Sequence, residues 1–345
     1  MPRILIVAPN WIGDTLLAQP LFARLRKKLP SAVIDAIAPP WTAPVLRRMP
    51  EISDVIEAPF LHGKLELRAR WRLGRSLRAH QYDEAIVLPN TFKAALVPFF
   101  AEIPLRVGYV GETRYGLLTL VHKLDEKALP LMAERYAQLA ERPGTVPLRP
   151  LAPAKLNVDE ANLIIALGRL GLSRGRPVAA LCPGAEYGPS KRWPTGHYAA
   201  LAKKLAAMGR AVWIFGSPND RPIGEEIAKA SDGAAVNLAG RTDLAAAIDL
   251  LSIAEIVVTN DSGLMHLAAA VGRPVVALYG SSSPEHTPPL TERARLVRTG
   301  IECSPCFQRE CPLGHHKCMI ELTPERVLGE IAEVDARAVS PRSGI

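Results

Sequence analysis

Short, almost wholly apolar runs recur along the chain, and between them apolar residues return every three or four positions. The first series of runs is RILIVA (3–8), AVIDAIA (32–38), SDVIEA (53–58), EAIVLP (84–89) and LRVGY (105–109). These runs read as strands, with helical patterns between them. After the first run, Leu17, Leu21, Leu25 and Leu29 form one stripe on a predicted helix. Arg26, Lys27 and Lys28 near its end suit the negative pole of the helix dipole. Pro20 either bends this helix or lies near its first turn.

A proline-rich stretch, 141–155, then interrupts the pattern and predicts a linker. A helical segment follows at 159–171. The alternation resumes with PVAALCP (177–183), AVWIFG (211–216), AAVNLAG (234–240), EIVVTN (255–260) and PVVALYG (274–280). Strand and helix in repeated alternation make a doubly wound α/β sheet. The expected organisation is two Rossmann-like domains, 1–155 and 156–322, facing a central cleft. A closing segment, 323–345, carries a helix with Thr323 as N-cap and Pro324 at its first position. A return of that segment to the first domain is left open.

With 345 residues, 48% of them hydrophobic and 22% charged, the chain has the composition of a water-soluble globular protein large enough for two cores. No apolar run is long enough to span a bilayer, and the start shows no signal-peptide pattern, so a cytoplasmic protein is expected. The net charge of +8 is uneven: residues 1–150 hold 21 Lys and Arg against 14 Asp and Glu. Segment 62–80 alone has six basic residues and one Glu. It is either an ordinary solvated helix face or a surface for an anionic partner. Base-stacking aromatics are not interleaved with the basic residues, which argues against nucleic acid. Cys303, Cys306, Cys311 and Cys318, with His315 and His316 between them, are either a metal site or a compact loop of reduced thiols.

In an open parallel sheet, ligands collect beyond the carboxyl ends of the strands. Four such loops are unusual. The first, PNWIGDT, lacks the glycine fingerprint of dinucleotide binding, which disfavours a nicotinamide enzyme. It puts Trp11 at a loop tip and Asp14 at a helix start, as a cap or as a general base. The second, CPGAEYGPSKRWP, contains Gly184 and presents Lys191 and Arg192, a cationic pair suited to a diphosphate. In the third, TNDSGLMH, Asn260 and Asp261 end a strand, Ser262 and Gly263 open a helix, and His266 lies one turn on. Such a helix start binds phosphate well, while Asp261 suits sugar hydroxyls; simple capping is the alternative. The fourth, LYGSSSPEHTPP, offers Gly280, three small serines, Glu285 and His286.

Taken in order, PNWIGD, CPGAEYGPSKRWP, TNDSGLMHLAAA and LYGSSSPEHTPP resemble the ADP-heptose:lipopolysaccharide heptosyltransferases of glycosyltransferase family 9, over nearly the whole chain. The likeness is closest to the type II branch, with types I and III as siblings of different acceptor position. The resemblance implies a GT-B fold and an inverting, metal-independent transfer with no required cofactor. It implies an ADP-heptose donor on the second domain and an anionic heptosyl-Kdo2-lipid A acceptor on the first, at the inner face of the inner membrane. It matches Asp14 to the catalytic base and Lys191 to the phosphate-binding lysine. Gly184, Arg192, Asn260, Asp261, Ser262, Gly263, His266 and Gly280 would line the donor site, and Asn10, Trp11 and Gly13 the acceptor site. The rival of another class is a non-catalytic nucleotide- or glycan-binding protein.

Overall fold

A computed structural model describes all residues except 59, 61, 62 and 340–345. The first residue of the basic segment, His62, and the end of the tail therefore lie outside the described residues. The chain divides into two compact units: Met1–Asn157 with Glu285–Thr287, and Val158–Pro284 with Pro288–Ile345.

The first unit is built on a six-stranded sheet: β1 (Arg3–Val7), β2 (Val33–Ala38), β3 (Asp54–Glu57), β4 (Glu84–Val87), β5 (Leu105–Tyr109) and β6 (Leu120–His122). The spatial order is β3-β2-β1-β4-β5-β6, and every pairing is parallel. The second unit repeats the plan with β7 (Val178–Cys182), β8 (Ala211–Ile214), β9 (Ala235–Asn237), β10 (Ala254–Asn260), β11 (Val275–Leu278) and β12 (Ala294–Val297). Its order is β12-β11-β10-β7-β8-β9, again wholly parallel. The edge strands β6 and β12 escape the hydrophobic pattern because they are short and partly exposed.

Interior strands such as β7 and β11 are buried at every position, which is why their sequences do not alternate. The leucine stripe is divided between two helices, Ile12–Leu17 and Gln19–Lys28, with Pro20 in the first turn of the second. There its missing N–H costs no helical hydrogen bond. Helix Leu67–Leu77 packs closely on helix Leu96–Phe100 at Gly74. A Cβ there would stand 2.5 Å from Phe100 Cβ and 2.8 Å from the Val97 carbonyl oxygen.

The proline-rich stretch is strapped to the first unit. Gln19 donates to the Lys155 carbonyl at 2.7 Å and accepts from its N–H at 2.9 Å, and Asn157 N–H donates to the Arg48 carbonyl. Helix Glu160–Leu170 then starts under an Asp159 cap and stops at Gly171, whose φ of 67° favours glycine. In the closing helix, Pro324–Val339, Val327, Ile331 and Val334 join the core of the second unit, and Thr323 Oγ1 accepts from Arg326 N–H.

Candidate active site

Sheet order decides which loops meet. In the second unit β10 lies between β7 and β11, so the loops after these three strands emerge side by side. The crossovers from β7 to β8 and from β10 to β11 run in opposite directions along the sheet, so the β7–β10 boundary is a topological switch point. There Lys191 Nζ lies 2.5 Å from Asp261 Oδ2, 70 residues apart in sequence. Both side chains are largely buried, at 17% and 6% exposure. The ammonium also lies 4.9 Å from the centre of the Tyr187 ring.

The Lys191 loop is held by the residues around it. The buried Ser190 hydroxyl reaches Ser281 Oγ at 2.9 Å and donates to the Gln308 carbonyl, while Ser190 N–H donates to Arg309. Trp193 is buried; its ring N–H donates to the Leu322 carbonyl, and its backbone N–H donates to Asn260 Oδ1. Asn260 also accepts from the Tyr198 hydroxyl and donates to the Pro183 carbonyl. Fully buried, with its side-chain oxygen accepting twice and its amide nitrogen donating once, Asn260 ties β10 to the loop after β7.

Helix Gly263–Ala270 begins beside Asp261. Its N-cap is Ser262, whose side chain makes no capping bond and instead meets Thr259 Oγ1 at 3.3 Å. The capping alternative therefore does not describe Ser262, and Asp261 is turned to Lys191. His266, one turn into the helix, is buried, and burial lowers its pKa to about 4. Asp261 opposes that shift and Lys191 adds to it. The ring is thus neutral at pH 7. Its Nδ1 and the Ser282 hydroxyl are buried polar atoms without a hydrogen-bond partner among the described residues. Arg192 is half-buried and donates to the Ala185 carbonyl.

Gly184 and Gly280 have steric reasons to be glycine. A Cβ on Gly184 would stand 2.5 Å from the Asp220 carboxylate, and one on Gly280 would run into Met319 Sδ. The cysteine-rich loop is part of this support. Phe307 N–H donates to the Ser281 carbonyl at 2.7 Å, Ser304 Oγ to the Gly280 carbonyl at 2.6 Å, and Tyr187 hydroxyl to the Phe307 carbonyl at 2.6 Å. All four of its cysteines are free thiols, and no group of three or more His, Cys, Asp or Glu among the described residues is arranged to hold a metal. Glu285 and His286 belong to the first unit, where the His286 carbonyl accepts from Met132 N–H and its ring meets the Pro130 carbonyl at 3.0 Å.

In the first unit, the switch point lies between β1 and β4. Trp11, 51% exposed, is the N-cap residue of helix Ile12–Leu17, so Asp14 is the third helical residue and not the cap. Asp14 is half-buried, and its charge adds to burial in raising the Tyr136 pKa. Asn10 is exposed, Gly13 is half-buried, and the Asn10 carbonyl accepts from the Trp41 ring N–H at 2.8 Å. A recess opens over the carboxyl ends of β1, β2, β3 and β4, lined by Asn10, Trp41, Phe60, Arg70, Thr91 and Lys93 among others. Of these, Asn10 belongs to a motif loop and Arg70 to the basic segment 62–80; Trp41 and Lys93 carry no motif, and all four meet only through the sheet order.

The family model for glycosyltransferase family 9 (heptosyltransferase) matches residues 70–317. Lipopolysaccharide heptosyltransferase 2 of Escherichia coli K12 is 46% identical over 338 residues, covering 95% of this chain and 97% of that protein. Lipooligosaccharide heptosyltransferase 2 of Haemophilus influenzae is 45% identical, covering 97% of this chain and 100% of that protein. The solved structure of the Escherichia coli ADP-heptose lipopolysaccharide heptosyltransferase II superposes with a TM-score of 0.88 at 44% identity, covering 99% of this chain and 100% of that one. The two parallel six-stranded sheets with flanking helices thus match a GT-B heptosyltransferase. Matched over most of its length by the family model and over nearly all of it by these relatives, the chain belongs to glycosyltransferase family 9, the heptosyltransferases.

Proposed function

We propose that the chain transfers L-glycero-D-manno-heptose from ADP-heptose to a heptosyl-Kdo2-lipid A acceptor, as a heptosyltransferase II. The observation that carries the reading is the Lys191–Asp261 pair beside the start of helix Gly263–Ala270, on a chain nearly half identical to curated heptosyltransferase 2 proteins. The second unit takes the ADP-sugar and the first unit the acceptor.

An acceptor hydroxyl attacks the anomeric carbon from the face opposite ADP, and the configuration inverts. The new C–O bond forms as the bond to the diphosphate breaks. Asp14 takes the hydroxyl proton. Lys191, Arg192 and the N–H groups at the start of helix Gly263–Ala270 offset the charge growing on the leaving diphosphate, so the chain's own cations do the work a metal would otherwise do. Lys191 is already aimed by Asp261; when a diphosphate takes the ammonium, the carboxylate is released to accept from sugar hydroxyls. His266, neutral, completes the polar wall without adding charge.

Peripheral attachment at the inner face of the inner membrane fits the first unit. Helix Leu67–Leu77 exposes Arg68, Arg72 and Arg75 together with Leu67 and Trp71, an apolar and cationic face suited to anionic lipid. Among the described residues no helix is long and apolar enough to cross a membrane.

The test is transfer from ADP-heptose to defined truncated acceptors, with the product linkage determined, which also separates type II from types I and III. Asp14→Ala is expected to lose about 10²- to 10⁴-fold in kcat, with ADP-heptose affinity by calorimetry nearly unchanged. An equal loss of donor affinity would make Asp14 a structural residue. Donor binding by the unaltered protein with no transfer to any heptosylated acceptor would favour the non-catalytic reading.

A further inference from the structure

The recess of the first unit has an electrostatic character that its position alone does not require. It lies at the β1–β4 switch point, and among the described residues its lining carries two cations, Arg70 and Lys93, and no carboxylate. Arg70 is only 6% exposed. Its Nε donates to the Leu65 carbonyl at 2.7 Å and its Nη1 to the Lys93 carbonyl at 3.2 Å, while its guanidinium lies 4.0 Å over the Phe60 ring. No carboxylate of the described residues is within ion-pair distance; Glu66, one turn back, acts only through space. Burial lowers the Arg70 pKa, as expected of a cation removed from water. Lys93 is half-buried, and its ammonium has no hydrogen-bond or ion-pair partner among the described residues.

A buried cation satisfied by carbonyl dipoles and a ring still favours an anion strongly, because low polarity strengthens the pairing. The fork of Arg70 is anchored on two sides, so its remaining Nη2 edge has a set direction, and Lys93 supplies a second, adjustable positive charge. Trp41 and Phe60 give the recess apolar walls, and Thr91 adds a hydroxyl. This combination of a fixed guanidinium, a mobile ammonium and aromatic walls suits an oxyanion borne on a sugar.

We propose that this recess is an anion subsite of the acceptor, in which Arg70 and Lys93 hold a carboxylate or phosphate group next to the heptose that is extended. The proposal rests on the acceptor reading above. It makes Arg70 and Lys93 specificity-determining residues: they select acceptors that bear the charge and set the reacting sugar near Asp14, which follows the recess residue Asn10 by four positions.

The experiment compares the unaltered protein with Lys93→Ala, Arg70→Lys and Arg70→Gln. With ADP-heptose and heptosyl-Kdo2-lipid A, Lys93→Ala and Arg70→Gln are each expected to raise the acceptor KM at least tenfold. Donor KM should stay within twofold, with Arg70→Lys in between. A purely structural Arg70 would instead lower Tm and shift both KM values together, with Lys93→Ala silent, and that result would overturn the subsite. Repeating the comparison with a dephosphorylated acceptor assigns the source: a KM penalty that persists belongs to the Kdo carboxylate, and one that disappears belongs to phosphate. Calorimetric titration of free Kdo and of inorganic phosphate is independent of transfer. Binding of either that Lys93→Ala weakens would support the subsite even if heptose transfer failed, whereas no binding of either together with an unchanged acceptor KM would end it.

Discussion

Individual side chains near the proposed donor site divide into those that hold the loops and those left available to a ligand. Asn260 and Trp193 spend their polar atoms on the protein, whereas His266 Nδ1 and Ser282 Oγ are buried with nothing of the described residues to bond. Buried polar groups without partners cost stability, and they persist where a ligand supplies the missing bond. His266 makes a testable contribution to pH dependence. Its folded pKa of about 4 lies below the ordinary 6.5, so protonation favours the unfolded chain. The stability tied to its neutral form is intact above 6.5 and is lost as pH falls from there toward 4. The amount is on the order of 3 kcal/mol. Between pH 7 and pH 4.5, Tm should therefore fall less in His266→Gln than in the unaltered protein; equal falls would place the imidazole in a more polar setting.

At the scale of elements, loops acquire their chemistry from the strands they follow. The order β11-β10-β7 puts Gly280, Asp261 and Lys191 on adjacent loops, and the order β2-β1-β4 opens the recess. The cysteine-rich loop acts here as a brace: through Ser304, Phe307, Gln308 and Arg309 it bonds the loops that carry Gly280, Ser281 and Ser190. Packing between elements is equally specific. At Gly74 two helices approach too closely for a side chain, with backbone as one of the obstructing atoms. Gly74→Ala gains helix propensity of about 1 kcal/mol but must push the helices apart, which typically costs 1–3 kcal/mol. A lower Tm is expected, read by calorimetry; a raised Tm would show that the pair can separate freely. Because the same helix carries Arg70, the variant should also raise the acceptor KM.

Over the whole molecule, each unit has its own sheet, so the proposed donor and acceptor sites can be probed separately. The excess positive charge lies in the first half, where the proposed acceptor is anionic. Co-sedimentation with vesicles containing anionic lipid should fall steeply between 50 and 300 mM salt, as screening lengths shorten below about 10 Å. Trp71→Ala should weaken what remains at high salt. Binding indifferent to salt would remove the electrostatic attachment.

The alternation of apolar runs and amphipathic segments was enough to place ten of the twelve strands and the closing helix, because parallel strands buried on both faces must be continuously apolar. The edge strands β6 and β12, short and partly exposed, left no pattern, whereas the opposite edges β3 and β9 were still marked by short apolar runs. The motif loops with Asp14, Lys191, Asp261 and His266 were legible because small residues and charged residues at strand ends stand out from the apolar background. Their partners were not. That Lys191 meets Asp261, that Asn260 serves the loop after β7, and that Arg70 and Lys93 share a recess follow from strand order, which brings together residues 70, 67 and 23 positions apart. Local sequence determines which segments become strands and helices. Which loops become neighbours is decided only when the sheet closes its crossovers, since adjacency in space is a property of the pairing and not of any one segment.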